Sequence, residues 1–212
     1  MSVVDAARML LSPGAKMSLA VRYEISVVVP FADDEDAIGT AIHRLADHLR
    51  ALGHPFEILA VDEDSGDNSH AVLALLRAQV PELRVIHAPG RGRGADAGAA
   101  RAQGRLLWII DPDVALGTLA PVGPAVDDIL AGTVDAVVVH GHFVVCNRVR
   151  ALPALTGLRG SRDARRRRLA RRMAAHGLRL DVQMIGPAPT ARPRLFGLLA
   201  PRRPTTTTTR AS

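Results

Sequence analysis

The stretch RLLWIIDPD, residues Arg105–Asp113, decides the fold. Its five consecutive apolar residues, Leu106–Ile110, predict a β-strand buried on both faces, as in the middle of a parallel sheet. Pro112 lacks a backbone N–H and fixes its own φ angle, so the strand is expected to end there. Asp111 and Asp113 would then lie at the carboxyl end of a central strand, where open α/β sheets bind ligands. Their carboxylates suit a divalent cation such as Mg²⁺ or Mn²⁺, although a plain acidic turn has the same sequence.

The chain on either side of this stretch alternates between strand-like and helix-like segments. Apolar runs at Ile25–Pro30, Phe56–Asp62 and Leu83–Ala88 predict three earlier strands, and Val134–Phe143 predicts a fifth. Between the strands, apolar residues recur at helical spacing, as they do from Ile38 to Leu52. This alternation predicts an α/β fold, with a mostly parallel sheet, right-handed crossovers and flanking helices.

Composition and charge limit the possible partners. The 212 residues, 48% hydrophobic and 23% charged, fit one globular domain. Residues 1–147 hold 11 basic and 19 acidic side chains, a balance of −8, whereas residues 148–212 hold 16 arginines and two acids, a balance of +14. We therefore expect the second part to attract phosphate-bearing partners or the acidic face of the protein itself. Nucleic-acid binding is not expected, because only 3% of the residues are aromatic.

The ends of the chain differ from its middle. Residues 1–22 predict a poorly ordered leader, residues 23–186 the folded domain, and residues 187–212 a disordered tail rich in Pro, Arg and Thr. No apolar run reaches the 18 residues of a membrane span. The single cysteine, Cys146, excludes an internal disulfide and fits a reducing compartment. We therefore predict a cytoplasmic protein, and its abundant arginine and alanine with a single lysine are typical of bacteria with GC-rich genomes.

A basic helix is predicted between Asp163 and Ala175. Its arginines, concentrated in Arg165–Arg172, favour peripheral contact with an anionic membrane at the inner face. The alternative is a solvated helix that is packed by Leu169 and Met173.

Acidic clusters follow three of the predicted strands. They are Asp33–Asp36, Asp62–Asp64 and the pair Asp111 and Asp113. Because the carboxyl ends of parallel strands share one edge of a sheet, the clusters should lie together, and a cation or hydrogen-bond donors must offset their repulsion. Each cluster alone is also typical of a solvated turn at a helix start.

The glycine-rich segment Pro89–Gly98 follows the third predicted strand. A dinucleotide-binding fingerprint requires such a loop after the first strand, so a Rossmann dinucleotide site is not expected. Arg91 and Arg93 in this loop can contact phosphate groups, and the alternative is a mobile surface loop.

The order of these motifs resembles the family 2 glycosyltransferases of the GT-A fold, in particular the polyprenyl- and dolichyl-phosphate sugar transferases. The family's Pro-x-Tyr-Asn-Glu corresponds to Pro30–Asp34, and its Val-Asp-Asp-Gly-Ser-x-Asp corresponds to Val61–Asp67. Its Gly-Lys-Gly loop corresponds to Gly90–Gly98, and its Asp-x-Asp, thirteen residues after the last of these glycines, corresponds to Asp111–Asp113. Four motifs in order make the resemblance specific over residues 24–145 and weaker over residues 146–185.

The resemblance implies a sheet with its first four strands in the order 3-2-1-4, and a nucleotide-sugar donor bound across the strand ends. A divalent metal, Mg²⁺ or Mn²⁺, would be held on the diphosphate by Asp111 and Asp113, and a polyprenyl phosphate is a possible acceptor. Asp62 and Glu63 would hold the base and ribose. The whole set that the resemblance implies for the donor is Pro30, Asp34, Val61, Asp62, Glu63, Arg91 and Asp111.

The sequence also departs from the family's pattern. Ala32 and Asp33 replace the tyrosine and asparagine of the first motif, Glu63 replaces an aspartate, and Ala115 replaces a glutamine. The segment after the fifth strand is shortened, and no clear acidic base follows it. Asp163 is the nearest candidate, and the alternative is an acid at a helix start beside arginines. Two hypotheses therefore stay open: a metal-dependent glycosyltransferase, and a non-catalytic relative that binds a nucleotide or a partner.

Overall fold

The computed structural model describes residues 23–184 except Leu116 and Thr118. The predicted leader and the predicted disordered tail lie outside the described residues. Within them, the strands are β1 (Ile25–Phe31), β2 (Phe56–Asp62), β3 (Leu83–His87), β4 (Leu106–Ile110), β5 (Ala136–Val139), β6 (Phe143–Asn147) and β7 (Leu180–Gln183). The helices are α1 (Glu35–Leu52), α2 (Ser69–Leu76), α3 (Gly94–Arg101), α4 (Pro112–Ala115), α5 (Val122–Leu130), α6 (Arg148–Leu155) and α7 (Arg162–Ala175).

The seven described strands form one sheet in the order β3-β2-β1-β4-β6-β5-β7. All pairs are parallel except those of β6, which runs antiparallel to both β4 and β5. The mostly parallel α/β sheet and the order of its first four strands are confirmed. Parallel strands share one carboxyl edge, so the residues that follow β1, β2 and β4 lie side by side.

The fifth strand was predicted with the wrong extent. In place of one strand over Val134–Phe143, the chain forms a β-hairpin whose first strand, β5, ends at Val139. Gly141 has a φ of +75°, a left-handed conformation that glycine adopts without a steric penalty, and this reverses the chain. The apolar residues on both sides of the turn made the segment look continuous. The hairpin turn, residues 140–142, therefore lies beside the end of β4, where Phe143 pairs with Ile110.

Helices cover both faces of the sheet. Side chains alternate along β1, so that Val27 contributes to the core under α1, α2 and α5, and Val28 to the core under α3, α6 and α7. Trp108 on β4 is fully buried. Its ring packs edge-to-face against that of Phe143, with the two ring centroids 5.6 Å apart. Because aromatic residues are scarce, the two cores are built mainly from aliphatic side chains, which pack on both faces of the sheet.

Polar contacts hold the amino-terminal edge of the sheet. Glu57 on β2 is fully buried and accepts hydrogen bonds from Ser26 Oγ at 2.7 Å, Gln103 N at 2.7 Å and Arg84 Nη1 at 2.6 Å. Gly104 packs so closely that a Cβ there would lie 2.7 Å from the backbone nitrogen of Ser26. This network joins β1, β2, β3 and the start of β4 at the edge opposite the acidic clusters.

Asp135 fastens the other half of the same edge. It precedes β5, is 3% exposed, and accepts hydrogen bonds from Arg150 Nη1 at 2.8 Å and from the backbone nitrogen of Arg179 at 2.8 Å. The hydrogen bond from the Arg179 side chain outweighs burial and holds the pKa of Asp135 below its usual value. The contact ties the start of β5 to the segment that enters β7.

Candidate functional site

The predicted acidic residues meet at the carboxyl edge of the sheet. Asp34 follows β1, Glu63 follows β2, Asp111 follows β4, and Asp113 lies on α4 two residues after Asp111. As predicted, these acids lie together, and all four face the amino-terminal half of α7. We call Arg162, Arg165 and Arg166 of this helix the arginine clasp.

Arg165 is the deepest member of the clasp. It is 2% exposed, and its Nη2 donates to Oδ1 of Asp111. Its Nη1 lies 3.9 Å from Oε1 of Glu63 and makes no hydrogen bond within the described part of the chain. A buried guanidinium of this kind requires acidic neighbours, because an isolated charge inside a protein is very costly.

Arg166 lies nearer the mouth of the cleft and joins the two aspartates of the Asp-x-Asp motif. Its Nη2 lies 2.7 Å from Oδ2 of Asp111 and 3.1 Å from Oδ1 of Asp113. Arg162 donates to Asp34, and its Nη1 lies 3.9 Å from Asp113. Burial lowers the pKa of Arg162, but the hydrogen bond to Asp34 and the aspartate charges outweigh it and raise the pKa above its usual value. The clasp therefore supplies the compensating charge that the acidic clusters need.

The position of the clasp follows from the packing of α7. Leu169 and Met173 are buried in the core, and Arg165 lies one turn before Leu169 on the same face of the helix. Ser161 caps the helix, since its Oγ accepts a hydrogen bond from the backbone nitrogen of Ala164.

This packing corrects the prediction of one basic face over Arg165–Arg172. Arg165 and Arg166 turn towards the acidic cleft, whereas Arg167, Arg168 and Arg171 are exposed. Attraction to the protein's own acidic face was one of the predicted possibilities, and this part of it is confirmed. The exposed arginines form a smaller group than the one expected for membrane contact.

Glu63 holds the glycine-rich loop against the cleft. Its Oε2 accepts a hydrogen bond from Gly92 N at 2.9 Å, and its Oε1 accepts one from Gly94 N at 2.5 Å. A Cβ on Gly94 would lie 2.8 Å from Pro30 Cβ, and one on Gly92 would lie 2.6 Å from the carbonyl oxygen of Gly160. Glu63 stands where the family has an aspartate. Its carboxylate, carried on a side chain one methylene longer, accepts hydrogen bonds from two N–H groups of the loop.

The turns after β1 and β2 are joined by side-chain hydrogen bonds. Asp33 has a φ of +55° and accepts a hydrogen bond from Gly66 N at 2.7 Å. The pKa of Asp33 is lowered mainly by its hydrogen bond with Arg91 and, to a smaller extent, by the hydrogen bond from Gly66. Asp62 accepts a hydrogen bond from Ser65 N at 2.9 Å, and its Oδ2 lies 3.4 Å from His87 Nδ1. Arg91 and Asp62 therefore flank the cleft on the β2 and β3 side.

Two of the predicted residues do not present a side chain to the cleft. Val61 is fully buried in the core, where it approaches Gly98 of α3. Asp163 lies in the first turn of α7, and its side chain is 73% exposed, with Oδ1 3.8 Å from Arg166 Nη1. Asp163 thus behaves as an acid at a helix start, and its role as a base stays a prediction.

The arginine clasp was not predicted from the sequence, and neither was the pocket on the hairpin side of the cleft. His142 of the hairpin turn and the apolar side chains of Phe143 and Leu169 line a pocket that opens beside Asp111 and Arg166. A signal for Arg165 existed, because it precedes Leu169 by four residues and so shares the buried face of the helix. The position of His142 beside the cleft depends on the hairpin, which the sequence pattern did not predict.

The donor set at Asp111 and Asp113 fits a divalent cation. Both carboxylates already accept a positively charged side chain, since the Nη2 of Arg166 lies 2.7 Å from Asp111 and 3.1 Å from Asp113. Mg²⁺ is usually bound by one or two carboxylates together with substrate phosphates. No cluster of three or more His, Cys, Asp or Glu side chains suited to a metal occurs among residues 23–184 as described.

Comparison with known proteins identifies the family. The model of "Glycosyl transferase family 2" matches residues 26–180, which is most of the chain. The chain belongs to glycosyl transferase family 2. A relative from Yersinia enterocolitica, the undecaprenyl-phosphate 4-deoxy-4-formamido-L-arabinose transferase, is 29% identical over 96 residues, which are 43% of this chain and 29% of that protein. The chain thus matches less than a third of this relative's length.

Two solved structures of sugar-transferring enzymes share the fold. A mannosyltransferase from Pyrobaculum calidifontis in complex with GDP-Man and Mn²⁺ superposes with a TM-score of 0.61 at 17% identity, covering 86% of this chain and 61% of that one. A glucosyl-3-phosphoglycerate synthase from Mycobacterium tuberculosis, in complex with Mn²⁺, UDP and glucosyl-3-phosphoglycerate, gives a TM-score of 0.56 at 17% identity, covering 77% and 70%. The GT-A glycosyltransferase fold is therefore confirmed. Among the described helices, none has the length and apolar character of a membrane span.

Proposed function

We propose that this protein binds a nucleoside-diphosphate sugar in the cleft and transfers the sugar to an acceptor. The observation that carries the proposal is the meeting of Asp34, Glu63, Asp111 and Asp113 at the carboxyl edge of a family 2 sheet. Catalysis of this kind needs positive charge where the leaving diphosphate becomes negative, and carboxylates that hold the source of that charge.

The proposed metal ligands are Asp111 and Asp113. When bound there, Mg²⁺ or Mn²⁺ would act as a Lewis acid on the leaving diphosphate. The two structural neighbours that contain Mn²⁺ together with a nucleotide or nucleotide sugar support this assignment. The fully buried strand β4 gives both aspartates a rigid base, which precise placement of a diphosphate requires.

The nucleotide is proposed to lie between the glycine-rich loop and the turn after β1. Ala32, Glu63, Arg91 and Arg162 line a pocket there together with Gly92, Gly160 and Ser161. Arg91 is 63% exposed, so its side chain can turn from Asp33 towards a phosphate group. Pro30 and Asp62 support the pocket from the ends of β1 and β2. Val61 contributes through its place in the core.

A polyprenyl phosphate is the proposed acceptor class. The relative from Yersinia enterocolitica carries undecaprenyl phosphate in its name, which supports this class. Such an acceptor would place the protein at the inner face of the membrane, where the exposed Arg167, Arg168 and Arg171 would meet anionic headgroups. The apolar pocket beside Asp111 provides a surface next to the reacting centre on the hairpin side.

The second candidate is a non-catalytic relative that binds a nucleotide. It is favoured by the clasp, which occupies the carboxylates of the cleft, and by the exposed position of Asp163. In this case the same ligands bind, but no sugar is transferred.

Thermal unfolding with UDP, GDP and their sugars, each with and without Mn²⁺, tests the proposal. A ligand at about 100 times its dissociation constant should stabilise the protein by roughly 2.7 kcal/mol. Asp113→Asn should abolish the part that depends on Mn²⁺, whereas the control Asp127→Asn, at an exposed position of α5, should retain it. Sugar transfer to undecaprenyl phosphate then separates the two candidates. Binding without transfer supports the non-catalytic relative, and absence of any binding refutes both.

A further inference from the structure

The site proposed for the cation is spanned by a side chain of the protein itself. Nη2 of Arg166 contacts Asp111 and Asp113 at 2.7 Å and 3.1 Å, so these carboxylates cannot hold a metal while that contact is made. Any cation that binds to the pair must displace this guanidinium.

The depth of each arginine decides which one can move. Arg165 is 2% exposed, and it bonds to Oδ1 of Asp111, the oxygen that Arg166 does not use. Arg166 is 17% exposed and Arg162 is 32% exposed, and both stand at the mouth of the cleft. Arg166 and Arg162 can therefore swing outwards while Arg165 stays and continues to neutralise Asp111.

The charges of the cleft make separate binding of either ligand unfavourable. Four carboxylates face the three guanidinium groups of the clasp, so the described charges nearly cancel. A metal alone would leave Arg166 with the exposed Asp163, 3.8 Å away, as its one remaining acidic contact among those described, and a diphosphate alone would compete with the carboxylates for Arg166. When both arrive, the metal takes Asp111 and Asp113 while Arg166 takes a phosphate oxygen, so every charge keeps a partner.

We infer that Arg166, assisted by Arg162, is a diphosphate-binding residue that exchanges partners, moving from the carboxylates to the phosphate when the metal and the nucleotide bind together. The inference rests on the proposed function, because it assigns a role at the same site. It implies that the metal and the nucleotide each raise the affinity for the other, since the Arg166 contact has to be broken once for the pair.

The first test measures binding of Mn²⁺ alone, with free Mn²⁺ followed by electron paramagnetic resonance. Wild-type protein should bind weakly, and Arg166→Gln should bind about tenfold more tightly, because its carboxylates have been released. Arg167→Gln removes the same charge from the exposed face of the helix and should match the wild type. Arg166→Lys keeps a positive charge near the carboxylates and should lie between wild type and Arg166→Gln.

The second test measures binding of UDP and GDP by calorimetry, with and without Mn²⁺. In wild-type protein and in Arg167→Gln, Mn²⁺ should strengthen nucleotide binding strongly. In Arg166→Gln this enhancement should fall by about tenfold, because no contact remains to be exchanged. Arg162→Gln leaves both arginine contacts of Asp111 in place, so the enhancement by Mn²⁺ should fall less than in Arg166→Gln. This variant provides a second measurement of the exchange if Arg166→Gln does not fold.

The outcomes separate the inference from the function on which it rests. Tighter Mn²⁺ binding and a reduced enhancement in Arg166→Gln, with Arg167→Gln unchanged, support the exchange. Nucleotide binding that depends on Mn²⁺ equally in all variants overturns the exchange and leaves the proposed function in place. Absence of nucleotide binding in every variant overturns both.

Discussion

Replacement of Arg165 by methionine should destabilise the protein severely. The change removes a guanidinium that is 2% exposed and leaves Asp111, 3% exposed, with one charged partner in place of two. Glu63 keeps its two loop N–H donors but loses its nearest positive charge. The protein is thus destabilised because buried carboxylates lose a positive charge that neutralises them. The volume of the side chain changes little, since methionine is also long and unbranched.

The magnitude follows from the contacts that remain. Breaking a buried ion pair by removing one partner typically costs about 3–5 kcal/mol. The lower end applies, because Arg166 still neutralises Asp111 and because Nη1 of Arg165 makes no hydrogen bond within the described residues. A loss of about 3 kcal/mol in a domain of this size corresponds to a fall of roughly 6–12 °C in melting temperature.

Calorimetry and urea unfolding measure the change. Arg168→Met, which removes the same charge from an exposed position of α7, should stay within about 0.5 kcal/mol of the wild type. The double variant Arg165→Met with Asp111→Leu should recover much of the loss, because it removes both buried charges. A loss below about 1 kcal/mol in Arg165→Met, or a double variant less stable than the sum of the single changes, would refute the reasoning.

Three further outcomes are expected. Asp135→Asn should lower the melting temperature at neutral pH. The pKa of Asp135 is lower in the folded protein than its usual value of 3.8, so ionised Asp135 stabilises the fold fully above that value. This stabilisation is lost as the pH falls through the pKa of the folded state, and the unfolding curves of the two proteins should therefore converge in acid. Gly104→Ala should cost about 1–3 kcal/mol in urea unfolding, since its Cβ would meet backbone atoms of Ser26, whereas Gly123→Ala, whose Cβ would meet the side chain of Leu52 at 3.3 Å, should cost less. Burial raises the pKa of the Cys146 thiol to about 12, so a disulfide reagent at pH 8 should modify it only after unfolding, and rapid modification of folded protein would contradict its burial.

The sequence predicted what depends on local pattern. Runs such as Leu106–Ile110 define buried strands without ambiguity, and the aspartates after β4 follow from Pro112, which ends the strand. The boundary between β5 and β6 was missed, since a single glycine within an apolar segment does not show whether the chain bends or reverses.

The contacts of the clasp could not be predicted from the sequence for a different reason. A long-range ion pair depends on which elements the fold brings together, and charge counts give only the total that has to balance. The arginine run therefore appeared to be a basic surface, although its spacing from Leu169 placed Arg165 on the buried side of the helix. The acidic excess of the first 147 residues was the observation that called for a counter-charge.

The clasp joins residues that are synthesised at different times on the ribosome. Asp34 and Arg162 are separated by 128 positions, and every acidic residue of the cleft is translated before the first arginine of α7. Domains emerge from their amino-terminal side at about 5–20 residues per second, so the nascent chain carries its uncompensated acidic edge for several seconds. During that interval the parallel strands can pair, but their carboxyl ends repel one another. The arrival of α7 supplies the counter-charge for this edge, and β7 is added to the sheet after it.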